Sequence, residues 1–382
     1  ARVTTTEKRF RHHRSSTRIY SFRLFFPAAC IQAALVVPLS LAAVVTGSGW
    51  PPGLVAAGHG HELIFGFALA LIAGYTLGPQ PPRILYSLLA LWFLARISYT
   101  LAPNSWLALL LNPGFALALA WFVVPRFRAA KKWRNRMLAP LLFTICLTPV
   151  VWSAVPSEGV LNPIALMHFS VLLLLMLMNF MSGRLIAPAA AGALQARGIE
   201  LRARVQPETE ATLLLTLASA SVLVLMPATK PLAGLLLVGS AILILVRTLR
   251  WRLWLCSHRP DLLGLGLGSL WLATGAAITG AALIAGRAPG AALHLITVGA
   301  LGTLSTGVMM RLHYQRAPRT APPAPWVMGT TMLIAVSAIA RYMAGNTPFG
   351  NLSWLCLAAA MWSLAFILTA LLLLQPLQSR FQ

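Results

Sequence analysis

Long apolar runs, each close to twenty residues and parted by short polar or proline-bearing breaks, set the pattern of this chain. A hydrocarbon core about 30 Å thick takes about 20 helical residues. Stretches of that length fall at about 24–46, 60–78, 84–101, 106–124, 137–155, 163–186, 211–227, 231–249, 262–285, 291–312, 326–344 and 351–374. Only Pro227 to Pro231 separates the seventh from the eighth. A transmembrane β-barrel would need segments of about ten residues with alternating polarity, and runs such as Val171 to Met178 do not alternate. The pattern predicts an all-α polytopic membrane bundle of about 12 transmembrane helices over residues 24–374. A basic N-terminal arm, 1–23, precedes it, and a short tail, 375–382, follows. The longest polar connection, Ala187 to Glu210, carries Glu200, Glu208 and Glu210 among arginines and reads as a surface loop of mixed charge. No soluble domain, low-complexity linker or internal repeat stands out.

Composition agrees. Of 382 residues 58% are hydrophobic and only 10% charged, yet the net charge is +23. A soluble chain carries roughly a quarter charged residues, and disorder would need low hydrophobicity. The positions of the charges then set direction. Alternating the loops across the membrane puts 26 of the 30 Lys and Arg on the side of the N-terminus. Lys230, Arg287 and Arg341 fall opposite, and Arg96 falls within a span. Positive residues stay cytoplasmic, so both termini are expected inside. The arm lacks an apolar core and is not read as a cleavable signal peptide. It suits anionic lipid, at about 1 kcal/mol per Lys or Arg near the surface. No folded nucleic-acid module accompanies it, so the expected partner is the lipid bilayer and no nucleic acid. Cys30, Cys146, Cys256 and Cys356 are widely spaced without a CxxC, and buried structural thiols are expected.

Ionisable residues inside a bundle are costly without a partner or a task. His12 and His13 lie in the arm, and His258 and His313 at or near cytoplasmic ends. The other four, His59, His61, His168 and His294, come from three spans, and the topology places all of them toward the outer face. At 1.5 Å per residue His168 sits roughly 8 Å beyond Pro163. In Gly58-His59-Gly60-His61-Glu62 two backbones are open. An extended stretch, which the glycines permit, points both imidazoles the same way. A helix points them about 200° apart, with His59 capping and His61 alone facing the bundle. Neutral imidazole suits copper, zinc or haem iron, while a hydrogen-bonded interfacial histidine is the plain alternative for each.

Glu62 is the one carboxylate inside these span boundaries and shares a stripe of small residues with Gly66, Ala70 and Gly74. Small residues permit close helix approach, so Glu62 is expected to point inward. It can orient an imidazole, relay protons or cap the helix. Arg96 requires a carboxylate, a carbonyl or a cofactor propionate. In the tenth span Gly299, Gly302 and Gly307 allow a helix or a planar group to approach. Met309 and Met310 lie some 20 Å from His294 and read as packing residues.

The run GHGHELIFGFALALIAGYTLG, residues 58–78, resembles the HAHE-containing second span of the NnrS family, bacterial membrane proteins linked to the nitric oxide response. Residues 182–198, SGRLIAPAAAGALQARG, resemble its GGR-IP segment. ALHLITVGALGTLSTGVMMR, 292–311, is similar to its H-TVGA-G segment, and MWSLAFILTALLLLQPL, 361–377, to its final helix. The resemblance covers most of the chain, the first and third segments being the specific ones. It implies twelve spans in a bacterial inner membrane, haem b with copper as a second cofactor, and protection against nitric oxide. His59, His61, Glu62 and His294 are then the carried-over cofactor residues, and His168 is added from topology alone. His61 and His294 are the expected axial pair, His59 and His168 further ligands, and Glu62 a support for a ligating imidazole.

Three positions depart from the family pattern. Gly58 stands where a tryptophan is expected before the first histidine, and the ninth span lacks a histidine near Gly266, in DLLGLGLGSLWLATG. The turn expected as His-Thr-Gly-Arg reads Arg316-Ala317-Pro318-Arg319. These departures motivate a different expectation, a cofactor-free accessory subunit or assembly factor of a membrane respiratory complex. A transporter is the weakest, given one intramembrane carboxylate and no repeat.

Overall fold

The computed structural model describes residues 18–375 except 157–158, 160, 317–319 and 347–350. Most of the basic arm, with His12 and His13, residues 376–382 of the tail, and most of the turn after Arg316 lie outside the described residues. Each of the twelve expected spans is a helix. They are α1 (Phe22–Val45), α2 (58–76), α3 (Pro82–Leu101), α4 (Trp106–Arg128), α5 (Leu138–Trp152) and α6 (Pro163–Gln195). There follow α7 (Pro207–Leu223), α8 (Lys230–Arg250), α9 (Pro260–Ile284), α10 (Gly290–Arg316), α11 (Ala324–Met343) and α12 (Leu352–Leu374). Ten helices among the described residues are long and apolar enough to cross a membrane, α5 when extended back to Trp133 and α10 through a π-helical segment. The two others are α7, with 17 residues, and α2, whose middle is π-helical.

The sequence explains where these helices begin. Pro82, Pro163, Pro207 and Pro260 occupy the first helical position, where a missing N–H costs nothing. Asn162 and Ser105 cap α6 and α4 by accepting from the amides of Ala165 (2.9 Å) and Ala108 (3.2 Å). The loop expected over residues 187–210 is shorter than its polarity suggests. α6 runs on to Gln195 through alanine-rich, helix-favouring sequence, and α7 starts at Pro207 with Glu208 and Glu210 in its first turn. Carboxylates there favour a helix start.

Contacts between loops agree with the alternating topology. A two-residue strand β1 (Ile19–Tyr20) pairs antiparallel with β2 (Pro79–Gln80), joining the segment before α1 to the loop after α2. Arg184 donates to the Arg134 carbonyl (2.8 Å), Arg197 to the Leu255 carbonyl (2.6 Å), and Arg134 pairs with Glu210 (2.9 Å). All these loops belong to the arginine-rich face. At the opposite end Asn346 bonds the backbone of Ala288 and Ala291 (3.0 and 2.6 Å).

Neighbours in sequence pack side by side from α3 to α12, and α12 returns to pack on α1. The interior is held by α2, α6 and α10. From Ser170 to Phe180 every residue of α6 is buried, as a helix surrounded by protein requires. By contrast Leu110 and Trp121 of α4 are 63% and 78% exposed, apolar surface suited to lipid. Cys30, Cys146 and Cys256 are buried as expected, but Cys356 is exposed, because it lies on the outward side of α12. Met309 and Met310 are fully buried packing residues, with Met309 Sδ 3.6 Å from Cys30 Sγ.

Candidate functional site

The motif around the first two histidines is helical. Residues Gly58–His61 form a helical turn that runs directly into a π-helical segment, Glu62–Ala68, and then into regular helix. His59 and His61 therefore leave the backbone on different sides, and the extended form in which both hold one ion does not occur. His59 Nδ1 lies 2.9 Å from the Ala56 carbonyl. His61 turns into the bundle, 1% exposed, with Nδ1 3.2 Å from Glu62 Oε1. Its ring stacks on Tyr99 (centroids 3.5 Å, 7° between planes) and meets Phe65 edge-on at 4.9 Å.

Glu62 organises this interior. Its Oε1 accepts from Arg96 Nη1 at 2.7 Å and its Oε2 from Gln32 Nε2 at 2.7 Å. Arg96 also donates to the Asn112 side-chain oxygen. The partner that Arg96 requires is thus Glu62, and Glu62 is a buried, paired carboxylate linking α1, α2 and α3, with α4 joined through Asn112. Gly66 makes the approach possible: a Cβ there would lie 3.0 Å from Arg96 Cδ and Nη1. The stripe beyond it faces protein as expected, since a Cβ on Gly74 would stand 2.5 Å from the Phe26 ring.

His294 occupies the corresponding place on α10. Its Nδ1 lies 2.7 Å from the Gly290 carbonyl, and a second π-helical segment, Leu295–Ala300, follows it. Such π turns recur at functional sites. The two central helices also share a spacing, His61-x4-Gly66-x7-Gly74 in α2 and His294-x4-Gly299-x7-Gly307 in α10. In each the first glycine meets a tryptophan of a neighbouring helix, the following one (α3) for α2 and the preceding one (α9) for α10. Trp92 Nε1 donates to the Gly66 carbonyl (3.0 Å), and a Cβ on Gly299 would come within 2.8 Å of the Trp271 ring. Aligning α2 with α10 would have exposed this short repeat in the sequence.

The structure separates the four outer histidines. His59 and His294 are electrostatic neighbours, and Arg341 is a neighbour of both. His61 lies behind them in the Glu62–Arg96 network. His168 stands apart, electrostatically beside Lys230, with Nδ1 buried and unpartnered among the described residues. No group of three or more His, Cys, Asp or Glu placed to hold one metal occurs among the described residues. The helical turn at 58–61 sends the imidazoles of His59 and His61 apart, and among the described residues no three of the four histidines stand together as one metal site.

Gln32, Asn112 and Asp261 were not singled out from sequence, and Arg341 was counted there only for topology. Asp261 falls one residue before the expected ninth span, yet it is buried and receives Arg311 (2.6 Å) and Arg259 (2.8 Å) on the arginine-rich face. Its signal was the closeness of two arginine-bearing helix ends.

The pair His59 and His294 has the donor chemistry that a metal needs. A carbonyl can only accept, so each Nδ1 carries the proton and each Nε2 keeps its lone pair. That backbone bond is the usual brace of a ligating imidazole. Two of the three departures from the family pattern, Gly58 and Gly266, sit in tight packing. A Cβ on Gly58 would lie 2.2 Å from the Gly53 carbonyl oxygen, and one on Gly266 2.5 Å from Leu253 Cδ1. Neither position accepts the larger residue without moving its neighbour. No curated protein matches the chain. A family model described as NnrS protein matches residues 18–380, nearly the whole chain, and with twelve helices and both histidine motifs in place the protein belongs to the NnrS family.

Proposed function

We propose that this multi-pass membrane protein acts in the nitric oxide response by holding a redox-active metal, as haem b or copper, near its histidine-bearing face. The observation that carries the reading is the pair His59 and His294, each with Nδ1 tied to a backbone carbonyl and Nε2 left to coordinate. Family membership supports the nitric oxide connection. The bound metal would supply one-electron chemistry and an open coordination position for a small diatomic ligand. The protein's own residues do the rest. His59 and His294 would hold the metal, Arg341 would add positive charge near them, and Glu62 with Arg96 would fix the helix turn from which His59 projects. The positive-inside rule supports an outward position for that face, and the reading takes the membrane to be the bacterial inner membrane.

The test is an optical spectrum of the purified full-length chain, oxidised and reduced, with and without nitric oxide, together with elemental analysis. A Soret band or stoichiometric copper that shifts with nitric oxide supports the reading. A colourless, metal-free protein that co-purifies with a larger complex at fixed stoichiometry overturns it in favour of an accessory subunit or assembly factor.

A further inference from the structure

An apolar cavity lies away from the histidines, in the arginine-rich half of the bundle. Its empty space, open solvent at its mouth included, is about 790 Å³. Its walls come from α2, α4, α5, α6, α9 and α10 and are almost wholly apolar, among them Leu71, Leu142, Leu177 and Leu304. From Val308 back to Leu301 it follows α10 for about 10 Å. Tyr75, Leu185 and Val308 also line a second, polar opening, whose remaining walls are Arg311, Leu312, Gln315 and Arg316. Shaft and opening are therefore continuous.

The opening is cationic. Tyr75, at the junction, has Arg184, Arg311 and Arg316 as electrostatic neighbours, and its hydroxyl makes no hydrogen bond among the described residues. Asp261 is paired with both Arg311 and Arg259, so one carboxylate faces two guanidiniums. Arg316 is exposed at the rim, its guanidinium 5.5 Å from the Tyr20 ring. No carboxylate lines either part. An apolar shaft that ends in two arginines and a free hydroxyl complements one kind of molecule, with an apolar body and an anionic head. The shaft contains no histidine or cysteine to ligate iron.

We infer that this cavity binds an acyl amphiphile from the cytoplasmic leaflet, its chain between α2, α6 and α10 and its anionic phosphate or carboxylate at Arg311, Arg316 and Tyr75. The site is independent of the histidine pair, so it does not rest on the metal reading. Positive residues on this face fit an inner-leaflet source, where anionic lipids are concentrated.

The experiment is native mass spectrometry of the full-length chain in detergent, titrated separately with dioleoyl phosphatidylglycerol, dioleoyl phosphatidylcholine and oleate. One phosphatidylglycerol per chain, bound at least tenfold more tightly than phosphatidylcholine, is expected. Arg316→Gln should reduce that preference at least tenfold, and Val308→Trp should remove binding by filling the shaft. Oleate outcompeting phosphatidylglycerol would also support an anionic amphiphile and identify the carboxylate source. Equal binding of the two phospholipids, or indifference to Arg316→Gln in a chain of unchanged thermal midpoint, overturns the inference. So does a Soret band that disappears in Val308→Trp with all histidines intact, because the cavity would then hold a tetrapyrrole.

Discussion

Arg96 Nη1 lies 2.7 Å from Glu62 Oε1 in a region where Glu62 is fully buried and Arg96 4% exposed. One positive and one negative charge thus cancel inside the bundle, beside the turn that bears the candidate ligands. The pair is completed by Gln32, Asn112 and His61, so both carboxylate oxygens are satisfied. A buried pair of this kind is weak evidence of net stabilisation, but removing one partner leaves the other charge stranded.

Glu62→Gln or Arg96→Met alone should therefore destabilise the chain by about 3–5 kcal/mol. The double substitution should cost less than either single change, since no charge remains unpaired. Denaturation midpoints in detergent for the four members of the cycle measure the coupling, and simple additivity would sink the claim.

His59→Ala and His294→Ala should each abolish metal occupancy while shifting the thermal midpoint little, because both rings are only half-buried and bond to their own helix or loop backbone. His61→Ala should act in the opposite sense. It removes a ring packed against Tyr99, Phe65 and Trp152, so stability falls by about 2–4 kcal/mol with occupancy retained in the folded fraction. Metal content per folded chain separates the two outcomes. Loss of metal in His61→Ala at full folding would restore His61 as a ligand.

The helices were legible because lipid demands long apolar runs, and each of the twelve can be read from length alone. The expected direction rests on the arginines. The grouping of the histidines was not, since it depends on the backbone of four residues, Gly58 to His61, where two glycines permit either a helical or an extended form. Arg96 announced that a partner existed without naming Glu62, which is 34 positions away and reached only when Gly66 lets the guanidinium in. Asp261 escaped notice for a different reason. A carboxylate one residue outside an apolar run resembles a surface residue until Arg311 arrives from 50 positions further on.

Cys256 is fully buried in the loop after α8, and burial pushes its thiol up from the ordinary value, with Arg197 and Arg259 pulling only weakly the other way. Less thiolate is then present at neutral pH than on a free cysteine. In a chain whose other three cysteines are alanine, alkylation by N-ethylmaleimide should be slow at pH 7 and keep accelerating as pH rises beyond the ordinary thiol range. Detergent denaturation should restore the usual profile. Equal rates in folded and denatured protein at pH 7 would contradict the buried loop.

Orientation can be read with single cysteines on a cysteine-free background. Ser48 and Lys132 are both exposed, on the histidine-bearing and arginine-rich faces respectively. A membrane-impermeant maleimide applied to spheroplasts should label Ser48→Cys at once and Lys132→Cys only after permeabilisation. The reverse result would invert the topology and with it the face on which the histidine pair lies.

Gly58 tests whether the departure from the family pattern is built into the packing. Its amide bonds the Val55 carbonyl at 2.9 Å, and the helical turn Gly58–His61 starts here. A Cβ would meet the Gly53 carbonyl oxygen at 2.2 Å, while Gly53 in turn abuts the Tyr99 carbonyl, at which its own Cβ would clash. Backbone on both sides leaves nothing flexible to yield, so Gly58→Ala should cost about 1–3 kcal/mol and displace His59 with the turn. Loss of metal together with stability in Gly58→Ala, against metal retention in Gly239→Ala at an open position of α8, would tie the packing at Gly58 to the ligand. A Gly58→Trp chain as stable as the parent would show that the turn can adopt the relatives' form.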